Sequence, residues 1–164
     1  MVGRQMRVLP CLVFALLVAW DVRAEEKEPS AIIGIGGAGE WGLPGASKFG
    51  PSAAVEFTPI KDWFEIEAGI STLFGGGETE WETDLLFKKP FTLSDKVEFM
   101  IGVGPAWSFS REGTKITGEV RSILCSGRSD RKFGWFLEPS YSYSFSVGDE
   151  QSLGVSAGLL IPIP

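Results

Sequence analysis

The chain has 164 residues, a formal net charge of −6 and no histidine, and 12% of its residues are aromatic. Nucleic-acid binding needs basic patches that an acidic chain is poorly suited to supply. The absence of histidine removes the commonest general base and the commonest zinc ligand. We therefore expect no enzyme activity, no cofactor, no metal and no nucleic-acid partner.

The first 24 residues are predicted to be a cleaved secretory signal peptide. Arg4 and Arg7 give a positive start, Leu12–Trp20 is a continuous apolar run, and Val22–Ala24 offers small or modest residues at the cleavage positions. The apolar run is too short, and wrongly flanked, for a membrane-spanning helix. The alternative is a buried N-terminal helix.

The mature chain, residues 25–164, is expected to be one domain. It contains a single cysteine, Cys125, so an exported form has no internal disulfide. No later stretch is long and apolar enough for a membrane-spanning helix. Membrane residence would therefore have to come from strands closed into a barrel.

Apolar and polar residues alternate along the first half of the mature chain, and this period of two predicts four strands. The predicted strands are Ala31–Glu40, Phe49–Thr58, Trp63–Phe74 and Thr79–Lys89. The predicted connections are Trp41–Lys48, Pro59–Asp62 and Gly75–Glu78. Glycines in the first strand are expected to allow a bend or a close contact inside a narrow barrel.

The same alternation predicts four more strands in the second half. They are Lys96–Ser110, a strand that starts at Ile116, then Phe133–Val147 and Leu153–Ile163. The predicted connections are Pro90–Asp95, Arg111–Lys115 and Gly148–Gln151. Eight strands in simple succession predict an all-β fold, an eight-stranded antiparallel up-and-down barrel. Segments of about 9–11 residues also match what a tilted strand needs to cross a bilayer.

Patterns such as Lys132–Pro139 and Leu153–Leu159 resemble those of the small eight-stranded outer-membrane β-barrel proteins of Gram-negative bacteria, the OmpX-like and OmpA-barrel-like group. Such barrels usually end in an aromatic residue, whereas this chain ends Ile161–Pro164. The resemblance implies a transmembrane barrel over residues 25–164, located in the cell outer membrane. It also implies a monomer that contacts outer-membrane lipid and lipopolysaccharide and is inserted by the barrel-insertion machinery.

If the apolar faces meet lipid, the charged residues of the strands point into the barrel. The expected interior set is Glu56, Glu65, Glu67, Glu82, Asp84, Lys88, Glu98 and Glu138. Buried charges must be paired or hydrated, so we expect a stabilising network, with a narrow cation path or a metal site as the alternative. Aromatic girdles at the two membrane interfaces are expected from Trp63, Trp81, Trp107, Trp135, Tyr141 and Tyr143.

The arginine-rich segment Arg121–Arg131 interrupts the alternation. One interpretation is a long basic loop, because a lipid-facing Arg121 would cost about 2–4 kcal/mol at mid-depth. The other is a local reading-frame error. With suitable codons, a shift of one base over residues 121–128 encodes Ala-Leu-Asp-Phe-Met-Phe-Trp-Pro, which restores a strand pattern and makes Cys125 an artefact.

The sequence favours a non-enzymatic integral outer-membrane barrel with a structural, adhesive or protective role at its surface. Eight strands leave too little room for a general porin. The alternative is a soluble periplasmic barrel that binds a small apolar ligand inside, as lipocalins do, since alternation does not say which face is outside. A lipid-modifying enzyme is a third possibility, weakened by the absence of histidine.

Overall fold

The computed structural model describes residues 29–43, 45, 47–127, 133–145 and 150–163. The predicted signal peptide lies outside these ranges, as do residues 128–131 of the arginine-rich segment. The described residues form strands, turns and bends. None of them belongs to a helix with the length and apolar character needed to span a membrane.

Eight strands follow one another along the chain. They are β1 (Ala31–Leu43), β2 (Ser47–Ile60), β3 (Phe64–Gly75), β4 (Glu78–Ser94), β5 (Val97–Ser110), β6 (Gly113–Ser126), β7 (Gly134–Ser144) and β8 (Gln151–Ile163). Each pairs antiparallel with the next, and β8 pairs with β1 to close the barrel. The predicted all-β, eight-stranded antiparallel up-and-down barrel is confirmed. We call the end that holds Ala31 and Ile163 the terminal end and the opposite end the distal end.

The strand alternation separates the two faces of the wall. In β3, Glu65 and Glu67 are buried inside, while Ile70 and Phe74 are exposed outside. The same alternation in β4 buries Lys88 inside the barrel. A barrel of eight strands has an interior just wide enough to be filled by side chains, so inward residues are buried by one another. The outward residues are mostly apolar.

The strands extend into all the predicted connections. β4 continues through Pro90 to Ser94, so the turn predicted at Pro90–Asp95 is wrong. Pro90 lies opposite Met100 in the β4–β5 pair, and the register shifts between Thr92 and Ser94. β6 likewise begins within the predicted loop Arg111–Lys115. Its first residue is Gly113, whose φ of 131° makes the tight turn possible.

The arginine-rich segment is also strand over its first six residues. β6 runs on to Ser126, so the long-loop interpretation is wrong for residues 121–126. Arg121 lies opposite Gly102 of β5 and Ser140 of β7, with its side chain inside the barrel. The expected cost of a lipid-facing arginine therefore does not arise. Residues 128–132 lie outside the described ranges.

Glycines bring β1 and β8 together where the barrel closes. Gly36 lies opposite Gly158 in the β1–β8 register. A Cβ atom on Gly36 would lie 2.1 Å from the carbonyl oxygen of Ala157, and one on Gly158 would lie 2.2 Å from that of Ile35. Only glycine allows this approach, so the glycines of β1 serve the close contact expected from the sequence.

Candidate functional site

Arg121 lies at the centre of a charged cluster inside the barrel. Its Nε and Nη2 donate to the two carboxylate oxygens of Glu119, both at 2.9 Å. Nη2 also lies 3.1 Å from Asp84, while Nη1 lies 3.4 Å from Glu67 and 3.7 Å from Glu138. One guanidinium thus joins carboxylates from β3, β4, β6 and β7. Its planar fork of donors suits this arrangement better than the point charge of a lysine would.

Lys88 is the second cation of the cluster, and its side chain is 1% exposed. Its Nζ donates to Glu67 at 2.8 Å and also pairs with Glu56. Glu67 therefore connects the two cations. We call these residues the interior ion cluster: Glu56, Glu67, Asp84, Lys88, Glu119, Arg121 and Glu138. A buried charge of this kind is tolerated only when it is paired and hydrogen-bonded.

The remaining predicted interior residues also lie on inward faces. Glu65 is buried beside the cluster, opposite Lys88 in the strand register. Glu82 is half-buried above Asp84, towards the distal end, and lines the central cavity. Glu98 is half-buried near the terminal end, opposite Cys125. The structure thus brings most of the predicted set together but leaves Glu98 apart.

Sequence reasoning missed two members of the cluster, Glu119 and Arg121. A signal for them existed, because the strand pattern of β6 places Lys115, Thr117, Glu119 and Arg121 on one face. Alternation by itself did not show that an arginine there would meet acids. Three of its four carboxylate partners come from other strands, far away in the sequence.

Apolar side chains fill part of the interior near the terminal end. We call them the apolar plug: Ile32, Met100, Ile123, Cys125, Phe136 and Leu160. They come from β1, β5, β6, β7 and β8, whereas Lys88 and its partners occupy the β2–β4 side. Cys125 is fully buried in the plug. Together, the plug and the ion pairs of Lys88 fill the interior between the central cavity and the terminal end.

Two cavities lie on the distal side of this filled region. A central cavity of about 70 Å³ is lined by members of the interior ion cluster and by serines. A larger one of about 250 Å³, the distal vestibule, lies at the barrel mouth. Both are lined in part by Glu40 and Ser142. The polar space is therefore entered from the distal end and ends at the apolar plug.

The wall of the distal vestibule carries charges of both signs. Lys48 pairs with Glu80, and Lys115 Nζ lies 2.5 Å from a carboxylate oxygen of Glu150. Carboxylate oxygens of Glu40, Glu80 and Glu82 lie within 4.8 Å of one another. Oxygen ligands of this type suit hard cations such as Ca²⁺. Of these three carboxylates, Glu80 is already paired with Lys48.

Aromatic side chains form two bands on the outer surface. Trp63 and Trp135 lie near the terminal end, where Phe64 stacks on Phe87 with ring centroids 6.1 Å apart. Near the distal end, Trp41 contacts Phe49 edge to face at 5.4 Å. The other predicted girdle residues lie towards this distal band, with Tyr141 slightly nearer the middle: Trp81, Trp107, Tyr141 and Tyr143. Two aromatic bands that flank an apolar belt are the pattern of a transmembrane barrel.

Known proteins resemble this chain in structure. No protein-family model matches it, and no curated protein does. Among solved structures, it is similar to Neisserial surface protein A (NspA), with a TM-score of 0.67 and 14% identity, covering 84% of this chain and 100% of that one. It is also similar to the N-terminal β-barrel domain of Pseudomonas aeruginosa OprF, with a TM-score of 0.54 and 12% identity, covering 82% and 100%. A third similar structure is the outer membrane enzyme PagL, with a TM-score of 0.54 and 12% identity, covering 80% and 99%.

These likenesses show the fold. The chain has the architecture of the small eight-stranded outer-membrane barrels, so the resemblance drawn from the sequence is confirmed at that level. Its own residues fit the class, because the charges are inside and the apolar and aromatic residues outside.

Proposed function

We propose that this chain is a non-enzymatic integral outer-membrane protein, with a structural, adhesive or protective role at its surface. The observation that carries the proposal is the outer wall. Large apolar side chains are exposed on every strand, among them Ile35, Ile70, Val103 and Leu159. Soluble monomers rarely expose a contiguous apolar patch of more than a few hundred Å², so a wall of this kind calls for lipid.

The distribution of charge supports membrane residence over the soluble alternative. A soluble barrel that binds an apolar ligand needs an apolar interior and a polar exterior. Here the interior contains Lys88, Arg121 and their carboxylates, while the exterior is mostly apolar. The lipocalin-like alternative is therefore not favoured.

The filled interior supports a role at the surface rather than general transport. The apolar plug and the Lys88 ion pairs lie between the central cavity and the terminal end. The distal connections that are fully described are short, at Gly76–Gly77 and Arg111–Glu112. We therefore propose that the distal mouth and rim, rather than long loops, form the surface through which the protein acts.

The likeness to PagL raises the possibility of an enzyme, but it shows the fold alone. This chain has no histidine, so a serine–histidine hydrolytic site is excluded by composition. The interior ion cluster is a stabilising network in our proposal. Incubation of the purified protein with lipopolysaccharide, followed by analysis for released fatty acid, tests this. Release at a rate proportional to protein concentration would contradict the non-enzymatic assignment.

The first test of the proposal is migration in an SDS gel, before and after boiling, of protein extracted from the outer-membrane fraction. A closed barrel resists SDS in the cold, so we expect a faster-migrating band that shifts on boiling to the position of the unfolded mature chain, residues 25–164. Soluble protein in the periplasm that shows no shift would contradict membrane residence. We further propose a monomer surrounded by outer-membrane lipid and lipopolysaccharide, inserted by the barrel-insertion machinery. Cross-linking in intact membranes tests the monomer.

A further inference from the structure

Lys89 is an exception on the outer wall. It follows the inward-facing Lys88 in β4 and shares the outward face with Phe87 and Phe91. Among all outward-facing strand positions that the structure describes, it is the one with a charged side chain. A lysine on a lipid-facing wall costs about 2–4 kcal/mol at the bilayer midplane and about 0–1 kcal/mol near an interface. Lys89 lies in the terminal aromatic band, near an interface, so the lower cost applies to it.

The surroundings of Lys89 hold its ammonium group at this interface. Its Nζ donates a hydrogen bond to the backbone carbonyl of Asp62 at 3.2 Å. It also lies 5.6 Å from the ring centroid of Trp63, as a cation–π contact. Both residues belong to the turn between β2 and β3, which Asp62 closes with a φ of 57°. The side chain of Lys89 therefore extends from the lipid-facing wall to the β2–β3 turn at the terminal end.

We propose that the ammonium group of Lys89, held beside Trp63 by the backbone carbonyl of Asp62, binds the phosphate group of an anionic phospholipid in the leaflet at the terminal end. An ammonium group has three N–H donors, and the hydrogen bond to Asp62 uses one. Lys89 makes no other hydrogen bond or ion pair with the described residues, so two donors are left for a ligand. Trp63 is 54% exposed and offers an interfacial ring beside the cation.

The chemistry selects a lipid phosphate over a dissolved one. The aliphatic stem of Lys89 lies on an apolar wall between aromatic rings, where acyl chains pack, and only its ammonium end reaches the rim. A headgroup whose own chains contact Phe87 and Phe91 is held at the correct depth, which a free phosphate ion is not. Charge complementarity favours an anionic headgroup, and one lysine near an anionic lipid surface is worth about fivefold in affinity.

This inference rests on the proposed membrane residence, so both are tested on the same sample. The full mature chain is folded in detergent, and its heat shift in SDS is recorded first. Native mass spectrometry then counts the lipids bound from mixtures of phosphatidylglycerol and phosphatidylcholine with identical acyl chains. Inorganic phosphate is the soluble competitor. The variants are Lys89→Met, Lys89→Arg as the conservative replacement, and Lys96→Met as a control that removes an exposed lysine of the β4–β5 turn at the same rim.

We expect phosphatidylglycerol to bind preferentially, about fivefold more weakly to Lys89→Met and without loss in Lys89→Arg or Lys96→Met. Equal loss in Lys96→Met would show a diffuse rim charge and would overturn the site. Competition by millimolar inorganic phosphate would show a free-anion site and would also overturn it. A chain that shifts on boiling but shows no lipid preference contradicts the lipid site alone. A chain that shows no heat shift contradicts the proposed function and the lipid site with it.

Discussion

Replacement of Arg121 by methionine is the sharpest test of the interior. Methionine keeps much of the side-chain volume but removes the charge and all the donors. Four carboxylates lose the cation that they share, at contact distances of 2.9 to 3.7 Å. Breaking a buried ion pair by removal of one partner costs about 3–5 kcal/mol, because an uncompensated buried charge is left. We expect a loss in that range for Arg121→Met.

Lys115→Met is the matched control. It also removes one cation from an inward position of β6, but the Lys115 and Glu150 side chains are 42% and 61% exposed. Ion pairs that water reaches are worth about 0–1 kcal/mol. The two variants carry the same change of charge on the same strand, so the difference between them reports burial rather than net charge. We expect that difference to exceed about 2 kcal/mol.

Reversible unfolding of the barrel in lipid vesicles by urea, followed by tryptophan fluorescence, measures both losses. We expect a lower midpoint with an unchanged slope for Arg121→Met, which would mean a change of stability alone. The double variant Arg121→Met, Glu119→Gln should recover part of the loss, because it removes one of the stranded charges. A loss below about 1 kcal/mol in Arg121→Met, or no recovery in the double variant, would refute the reasoning.

Three further outcomes are expected from the packing. Gly36→Ala should prevent normal closure of the barrel, because its Cβ would lie 2.1 Å from a backbone oxygen. Gly37→Ala is the control and should fold normally, because its Cβ would have no neighbour nearer than 3.6 Å. The SDS heat shift of the two variants tests this difference. Cys125 is fully buried, so a polar maleimide should label it only after unfolding, and rapid labelling of the folded barrel would contradict the packed plug. Phe136→Ala should cost about 3–5 kcal/mol and increase ion conductance in planar bilayers above that of the parent; an unchanged conductance would show that the plug does not close the path.

The strand order and the face of each strand were predictable because they depend on a local period of two. In β7 the sequence alone predicted that Trp135 and Leu137 share one face and Glu138 lies on the other, and the structure has them so. Closure into eight strands was predictable from their number and their short connections. The side that faces lipid was inferred from composition, since alternation is the same for both orientations.

The sequence predicted less where the structure depends on contacts between distant strands. Pro90 and the residues after it suggested a turn, yet pairing with β5 extends β4 to Ser94. Arg121 broke the local pattern, and only closure of the barrel brings Glu67 and Glu138 beside it. Alternation places Lys89 on the same face as Phe87, but its contact with Trp63 depends on a turn between two other strands.

The interior also bears on the reading frame of residues 121–128. The shifted segment would place leucine and phenylalanine where Ser122 and Ser126 face outward. This change removes the cost of exposing two hydroxyl groups to lipid, about 1–3 kcal/mol each. It would also replace Arg121 by alanine, at about 3–5 kcal/mol, and put an aspartate in place of Ile123 inside the apolar plug. A carboxylate there would lie near Lys88, because the side chains of Lys88 and Ile123 both approach Gly102. The two readings therefore differ in which charges lie inside the barrel, and the codons for Arg121 and Ile123 in the gene decide between them directly.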